Sequence, residues 1–112
     1  TPTPPGPSVA LNLTAQNIAF DLSAITVPPG ASVTINFTNK DAGIPHNFSV
    51  YTNSNATTSI FVGQFVTGPG TATYIFTAPA TAGTYFFRCD VHPSNMTGSL
   101  IVTAPASGGG GY

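Results

Sequence analysis

The sequence has very few charged side chains: two Lys or Arg and three Asp or Glu among 112 residues, with no glutamate at all. Phosphate binding needs several cationic side chains, so this scarcity excludes a nucleic-acid-binding protein and a polybasic membrane patch. No apolar run approaches the roughly 20 residues that a membrane-spanning helix needs. The composition is therefore compatible with proteins whose function depends on a packed globular domain.

Sulfur and imidazole side chains are also rare. Cysteine and methionine occur once each, as Cys89 and Met96, and histidine occurs twice, as His46 and His92. One cysteine cannot form an internal disulfide, and a chain of this length can build a sufficient core without one. The 41% hydrophobic and 11% aromatic content favours such a core over disorder.

The composition changes near both ends of the sequence. Residues 1–8 contain four prolines and no apolar periodicity, which predicts an extended spacer of the kind that holds a domain away from an anchor or neighbour. Residues 105–112 are rich in glycine and predict a flexible tail. The folded domain is therefore expected over residues 9–104.

Apolar and polar residues alternate with a period of two through this domain. In residues 32–39, for example, Val33, Ile35 and Phe37 alternate with Thr and Asn, which is typical of strands with one buried face. Candidate strands lie near 9–14, 17–20, 24–27, 32–39, 46–51, 60–66, 71–77, 84–89 and 97–103, some of the early ones merging. The predicted fold is an all-β sandwich or barrel of seven to eight strands.

The strand phase places the rare residues together. Cys89 is in phase with Phe87 at the end of one strand, and His46 is in phase with Phe48 at the start of another. His92 and Met96 follow Cys89 on one short connection. We therefore predict that all four side chains share one site.

A thiolate, two imidazoles and a thioether are the ligands that suit copper cycling between Cu(I) and Cu(II). Soft sulfur donors favour Cu(I), whereas imidazoles bind both oxidation states. The donor set predicts a mononuclear electron-transfer site.

These motifs resemble those of the cupredoxins, the blue type 1 copper proteins, and of plastocyanin-like members in particular. The matching segments are 27–39, Pro45-His46-Asn47, 83–89 and Cys89-x2-His92-Pro93-x2-Met96 followed by Gly98. The resemblance covers nearly all of residues 9–103 and implies a Greek-key β-sandwich with copper at one end.

The resemblance also implies roles for individual residues. His46, Cys89 and His92 would be equatorial ligands of one copper ion and Met96 the axial one. Asn47 would join the two ligand-bearing segments by hydrogen bonds, and the Pro45 carbonyl would lie on the opposite axial side. The Cys-x2-His-x3-Met spacing is shorter at its second step than the x4 of plastocyanin, which makes Met96 the ligand most dependent on loop conformation.

Three other interpretations of the same residues stay open. Buried Cys, His and Met are often only core residues, as in a cupredoxin-like domain without metal. Zinc accepts one thiolate and two imidazoles, but structural zinc sites use four strong ligands. A Cys-His nucleophile is a weaker alternative, because no acid is in phase to orient the imidazole; Asp90 is expected to be solvated or paired with Arg88 or Lys40.

The expected function is one-electron transfer between redox proteins, without enzymatic activity, in a monomer located outside the cytoplasm (periplasmic or at the cell surface, tethered or free). Donor and acceptor would dock at an apolar patch around His92 formed by Ile44, Pro45 and Pro93, with little electrostatic steering. A copper-trafficking module and a redox domain of a larger oxidase chain are the alternatives.

Overall fold

The computed structural model describes residues 7–103, which form ten β-strands. The strands are β1 (Ser8–Ala15), β2 (Ala24–Val27), β3 (Ser32–Asn39), β4 (Pro45–His46), β5 (Ser49–Tyr51), β6 (Ser59–Val62), β7 (Val66–Thr67), β8 (Gly70–Thr77), β9 (Gly83–Arg88) and β10 (Thr97–Val102). Within residues 7–103 there is no helix that is long and apolar enough to cross a membrane.

The strands form two sheets and a short ribbon. One sheet has the order β1-β3-β8, the second has the order β2-β10-β9-β5-β6, and β4 pairs with β7. The β1–β3 and β2–β10 pairs are parallel, and all the other strand pairs are antiparallel. The predicted all-β sandwich is confirmed.

Side chains from the facing sheets meet in one core. Phe48, 0% exposed, lies at its centre, and its ring centroid is 5.2 Å from that of Phe87 on β9 and 6.0 Å from that of Phe76 on β8. Tyr74, also on β8, stacks on Phe48 at 6.4 Å. Aromatic rings bury large apolar areas, so this cluster helps to hold the two sheets together. It does so close to His46, which lies two residues before Phe48 in the sequence.

Three strand predictions need correction. The strand expected at 17–20 is wrong, because Asn17 and Ile18 have φ angles of 57° and 54° and form a turn, from which only Phe20 bridges back to Ala15. The segments 46–51 and 60–66 each divide into two strands. The chain changes partners within them: β4 pairs with β7, whereas β5 pairs with β6 and β9. Ten strands therefore replace the predicted seven or eight.

The predicted terminal segments fall mostly outside the described residues. Of the spacer 1–8, only Pro7 and Ser8 are described, and Ser8 begins β1. The predicted tail 105–112, and residue 104 of the predicted domain, lie outside that range.

Gly98 has a packing reason to be glycine. It pairs with Phe87 in the β9–β10 ladder, and a Cβ atom at this position would overlap the Phe87 ring and lie 2.7 Å from the Ser23 carbonyl oxygen. The absent side chain leaves room on β10 for the ring of Phe87, which lies two residues before Cys89 in the sequence.

Candidate metal centre

Two neighbouring strands bring the first two site residues together. Cys89 directly follows β9, and His46 ends β4, three residues before β5 begins. Because β5 pairs with β9 with Ser49 opposite Arg88, the chain around His46 runs beside Cys89. Both side chains are 0% exposed.

The connection after Cys89 is a tight turn that folds back on itself. The His92 amide donates to the Cys89 carbonyl at 3.2 Å, and the Met96 amide donates to the His92 carbonyl at 3.1 Å. The Cys89 amide in turn donates to the Met96 carbonyl at 2.9 Å. These bonds bring His92 and Met96 back beside Cys89.

Three ligand atoms converge at this turn. The Cys89 Sγ atom lies 3.7 Å from His46 Nδ1 and 3.8 Å from His92 Nδ1, and one ligand atom from each residue lies within 4.8 Å of the others. Ligands bound about 2.0–2.3 Å from one metal ion lie roughly 3.5–4 Å apart. The donor set and the two sulfur-to-nitrogen distances therefore fit a type 1 copper site.

Met96 completes the set of rare residues. Its side chain is 0% exposed and belongs to the buried cluster that also contains Cys89. As a thioether on the same turn, it is placed to be the weak fourth ligand of such a site. The four predicted ligands are thus brought to one end of the sandwich.

Asn47 connects the two ligand-bearing segments. Its Oδ1 atom accepts from the Asp90 amide at 2.8 Å, and its Nδ2 atom donates to the Gly63 carbonyl at 2.9 Å and to Ser49 Oγ at 3.0 Å. The side chain is 0% exposed. Asn47, which directly follows His46, is therefore hydrogen-bonded to Asp90, which directly follows Cys89.

Asp90 differs from the sequence expectation in part. Its carboxylate pairs with Arg88 at 3.0 Å, which is one of the two pairings that we expected. It also accepts hydrogen bonds from Ser49 Oγ at 2.6 Å and from the Tyr51 hydroxyl at 2.5 Å. Burial opposes its ionisation, yet the hydrogen bonds from Ser49, Tyr51 and Asn47 outweigh burial and lower its pKa to about 2. Asp90 is thus a half-buried anchor of the turn and not a solvated carboxylate.

Asp41 was not identified from the sequence. Its Oδ2 atom lies 2.7 Å from His46 Nε2, the ring nitrogen on the far side from Cys89. Backbone hydrogen bonding from Ile18, and next the bond to His46, lower the Asp41 pKa to about 2. Asp41 precedes His46 by five residues in a loop, where no strand or helix periodicity links the two.

The residues predicted for docking have mixed exposure. Pro93 is exposed, whereas His92, Ile44 and Pro45 are half-buried. Two further exposed apolar side chains were missed, Val91 at 39% and Phe65 at 59%. Val91 adjoins His92 on the turn, and Phe65 directly precedes β7, the partner strand of β4.

The chain belongs to the cupredoxin-like family. A family model described as a cupredoxin-like domain matches residues 6–102, and this range contains all four rare side chains. No curated protein sequence matches significantly.

Solved structures show similar folds. Auracyanin A, described as a blue copper protein from the green thermophilic photosynthetic bacterium Chloroflexus aurantiacus, is 28% identical, with 86% of this chain and 99% of that chain covered and a TM-score of 0.76. Reduced auracyanin from Roseiflexus castenholzii is 24% identical over 89% of this chain and 99% of that chain, with a TM-score of 0.74. Rusticyanin from Thiobacillus ferrooxidans is 23% identical over 88% and 79%, with a TM-score of 0.68.

Proposed function

We propose that this protein is a one-electron carrier, and not an enzyme, with one type 1 copper ion. His46, Cys89 and His92 would hold the ion through one sulfur and two nitrogen atoms, and Met96 would be its weak fourth ligand. The observation that carries the proposal is the convergence of one thiol and two imidazoles within 4.8 Å in a chain that has no other Cys or His.

The protein's own contribution is to hold the ligands in one arrangement. Copper supplies a one-electron Cu(II)/Cu(I) couple when bound. The Cys89 thiol loses its proton on metal binding, and the hydrogen bonds of the turn and of Asn47 keep the ligands in place. Ligands fixed in this way move little between oxidation states, which favours fast electron transfer.

The burial of the ligands argues for a carrier over the alternatives. His46, Cys89 and Met96 are each 0% exposed, and His92 is half-buried, so neither a substrate nor a metal-accepting partner has direct access to most of the ligands. A copper-trafficking module needs accessible, exchangeable ligands. A zinc site lacks a fourth strong ligand here, because a thioether binds zinc poorly.

An absorption titration of the apoprotein with Cu(II) tests this proposal. We expect one equivalent to produce an intense blue thiolate-to-copper band that ascorbate bleaches and air or ferricyanide restores. Titration with Zn(II) is the matched control and should give a colourless complex. A colourless copper complex, or a colour that reduction does not change, would contradict the proposal.

We further propose that electrons enter and leave at His92 through an apolar docking patch. The patch comprises the predicted Ile44, Pro45 and Pro93 and is extended by Val91. Small apolar interfaces are typical of transient electron-transfer encounters. With a net charge of −1, association should depend little on ionic strength.

Electron self-exchange between two copies of the protein probes this patch without a known partner. We expect Val91→Asp to slow self-exchange about tenfold at low salt, because like charges then face each other across the contact. Added salt should restore much of the rate. The rate is measured from NMR line broadening in mixtures of the Cu(I) and Cu(II) forms.

Ile75→Asp is the matched control for Val91→Asp. Ile75 is 62% exposed on β8, which belongs to the β1-β3-β8 sheet, whereas Val91 follows β9 of the five-stranded sheet. Its replacement changes the net charge by the same amount. If both variants slowed self-exchange equally, the effect would come from the net charge of the protein and not from the patch. That result would refute the proposed docking site.

The cellular setting and the chain organisation belong to the same proposal. We place the protein outside the cytoplasm, in the periplasm or at the cell surface, as a monomer that exchanges electrons with a donor and an acceptor protein. Residues 1–8 would serve as a spacer, 9–104 as the domain and 105–112 as a tail. The proline-rich composition of residues 1–8 supports attachment to an anchor or neighbouring domain.

A further inference from the structure

One carboxylate touches the buried imidazole of the candidate copper site. Asp41 Oδ2 lies 2.7 Å from His46 Nε2, and the side chains of the two residues are 10% and 0% exposed. A carboxylate oxygen can only accept when ionised, so the proton of this bond belongs to His46 Nε2. The other ring nitrogen, Nδ1, faces Cys89 Sγ at 3.7 Å.

A strained turn holds this carboxylate. The amide of Asn17 donates to Asp41 Oδ1 at 2.7 Å and the amide of Ile18 donates to Oδ2 at 2.9 Å. Both residues are in the left-handed region, with φ angles of 57° and 54°, which is unfavourable for a β-branched side chain such as Ile18. Successive amides in such turns form a concave anion-binding nest, and here the anion is Asp41.

The backbone of Asp41 is fixed as well. Its amide donates to Asn39 Oδ1 at 2.8 Å, and Asn39 Nδ2 donates to the carbonyls of Ile44 and Val66, each at 2.7 Å. Asn39 is 0% exposed. The carboxylate is therefore held from two sides, and residues far apart in the sequence fix it beside the ring of His46.

We propose that Asp41 is a positioning residue for the copper ligand His46. The Asp41 carboxylate fixes the Nε2–H tautomer of His46 and adds a negative charge that favours Cu(II) over Cu(I). This inference rests on the proposed function, because it takes His46 to be a ligand. A hydrogen-bonded carboxylate makes a metal-bound imidazole a stronger donor. Cu(II) carries one more positive charge than Cu(I), so the same carboxylate stabilises it more.

Asp41→Asn tests the charge at almost unchanged shape. Losing the partner of a metal-bound histidine typically lowers metal affinity by about tenfold or more. Because the lost charge favours Cu(II), we expect the ratio of Cu(II) to Cu(I) affinity to fall about tenfold. For a one-electron couple this equals a rise of about 59 mV in the reduction potential. The potential is measured by spectrophotometric titration at fixed ionic strength, with the blue band as the signal.

Asp21→Asn is the matched control. The Asp21 carboxylate also accepts from a backbone amide, that of Thr14 at 2.9 Å, and its replacement makes the same change in net charge. We expect its potential to equal that of the wild type. A blue Asp41→Asn variant with an unshifted potential, or an equal shift in Asp21→Asn, would overturn the inference while leaving the copper function intact.

A second measurement covers the case in which Asp41→Asn fails to fold or to bind copper. NMR of the wild-type Cu(I) protein with ¹⁵N-labelled histidine reports which ring nitrogen of His46 carries the proton. We expect a protonated Nε2 with a strongly deshielded proton; a protonated Nδ1, or an Nε2 proton that exchanges freely with water, would refute the role of Asp41. A wild type without a blue band would instead refute the proposed function.

Discussion

Replacing Cys89 by serine is expected to abolish the blue absorption of the copper-loaded protein completely. The chain has no other thiol, and a thiolate-to-copper band cannot arise from a hydroxyl. Serine also removes the soft donor that favours Cu(I), so we expect bound Cu(II) to become hard to reduce. Absorption and electron paramagnetic resonance spectra of the Cu(II) form measure both effects.

The Cys89→Ser variant should fold, which makes the lost band interpretable. Serine is smaller than cysteine, and its hydroxyl has His46 Nδ1 and His92 Nδ1 nearby, 3.7 and 3.8 Å from the present Sγ. Met96→Leu is the control: it conserves volume in the core and removes only the weak thioether donor, so the protein should stay blue. A blue Cys89→Ser protein would show that the sulfur is not a ligand.

The fold could be predicted from the sequence wherever one strand face is buried. In β3, Val33, Ile35 and Phe37 alternate with more accessible residues, and the strand was predicted with its observed bounds. The same alternation is misleading at residues 17–20, where Ile18 and Phe20 are also two apart but form no strand. There the backbone amides of Asn17 and Ile18 bind Asp41, a distant partner that alternation cannot reveal.

The four rare side chains were likewise predictable as a group, because strand phase and one short connection place them at the same end of the sandwich. Their hydrogen-bonding partners were not. Asp41 reaches His46 across a loop, and Asp90 gathers Ser49 and Tyr51 from β5. Such contacts depend on how non-adjacent segments pack, and a single sequence carries no periodic signal for them.

Phe48→Ala is expected to cause the largest loss of stability of any substitution considered for this chain. Phe48 is 0% exposed, and its ring contacts those of Phe87, Phe76 and Tyr74 from both sheets. Truncating a buried phenylalanine costs about 3–5 kcal/mol of unfolding free energy. For a domain of this size the melting temperature should fall by more than about 12 °C.

Guanidinium and thermal unfolding of the apoprotein measure this loss, with Ile75→Ala as the control. Ile75 is 62% exposed, so its truncation should change the unfolding free energy by less than about 0.5 kcal/mol. Equal losses in the two variants would contradict the central place of Phe48 in the core.

Repeating the unfolding with copper bound tests whether the core also positions the site. Copper that binds only the folded state adds stability that depends on its affinity. Phe48 follows His46 and Asn47 directly, and its carbonyl accepts from the Gly63 amide at 3.0 Å, so a cavity here loosens the segment that carries the buried imidazole. We expect copper to stabilise Phe48→Ala less than the wild type. An equal gain in both proteins would mean that His46 is held by Asp41 and the β4–β7 ribbon without help from the aromatic core.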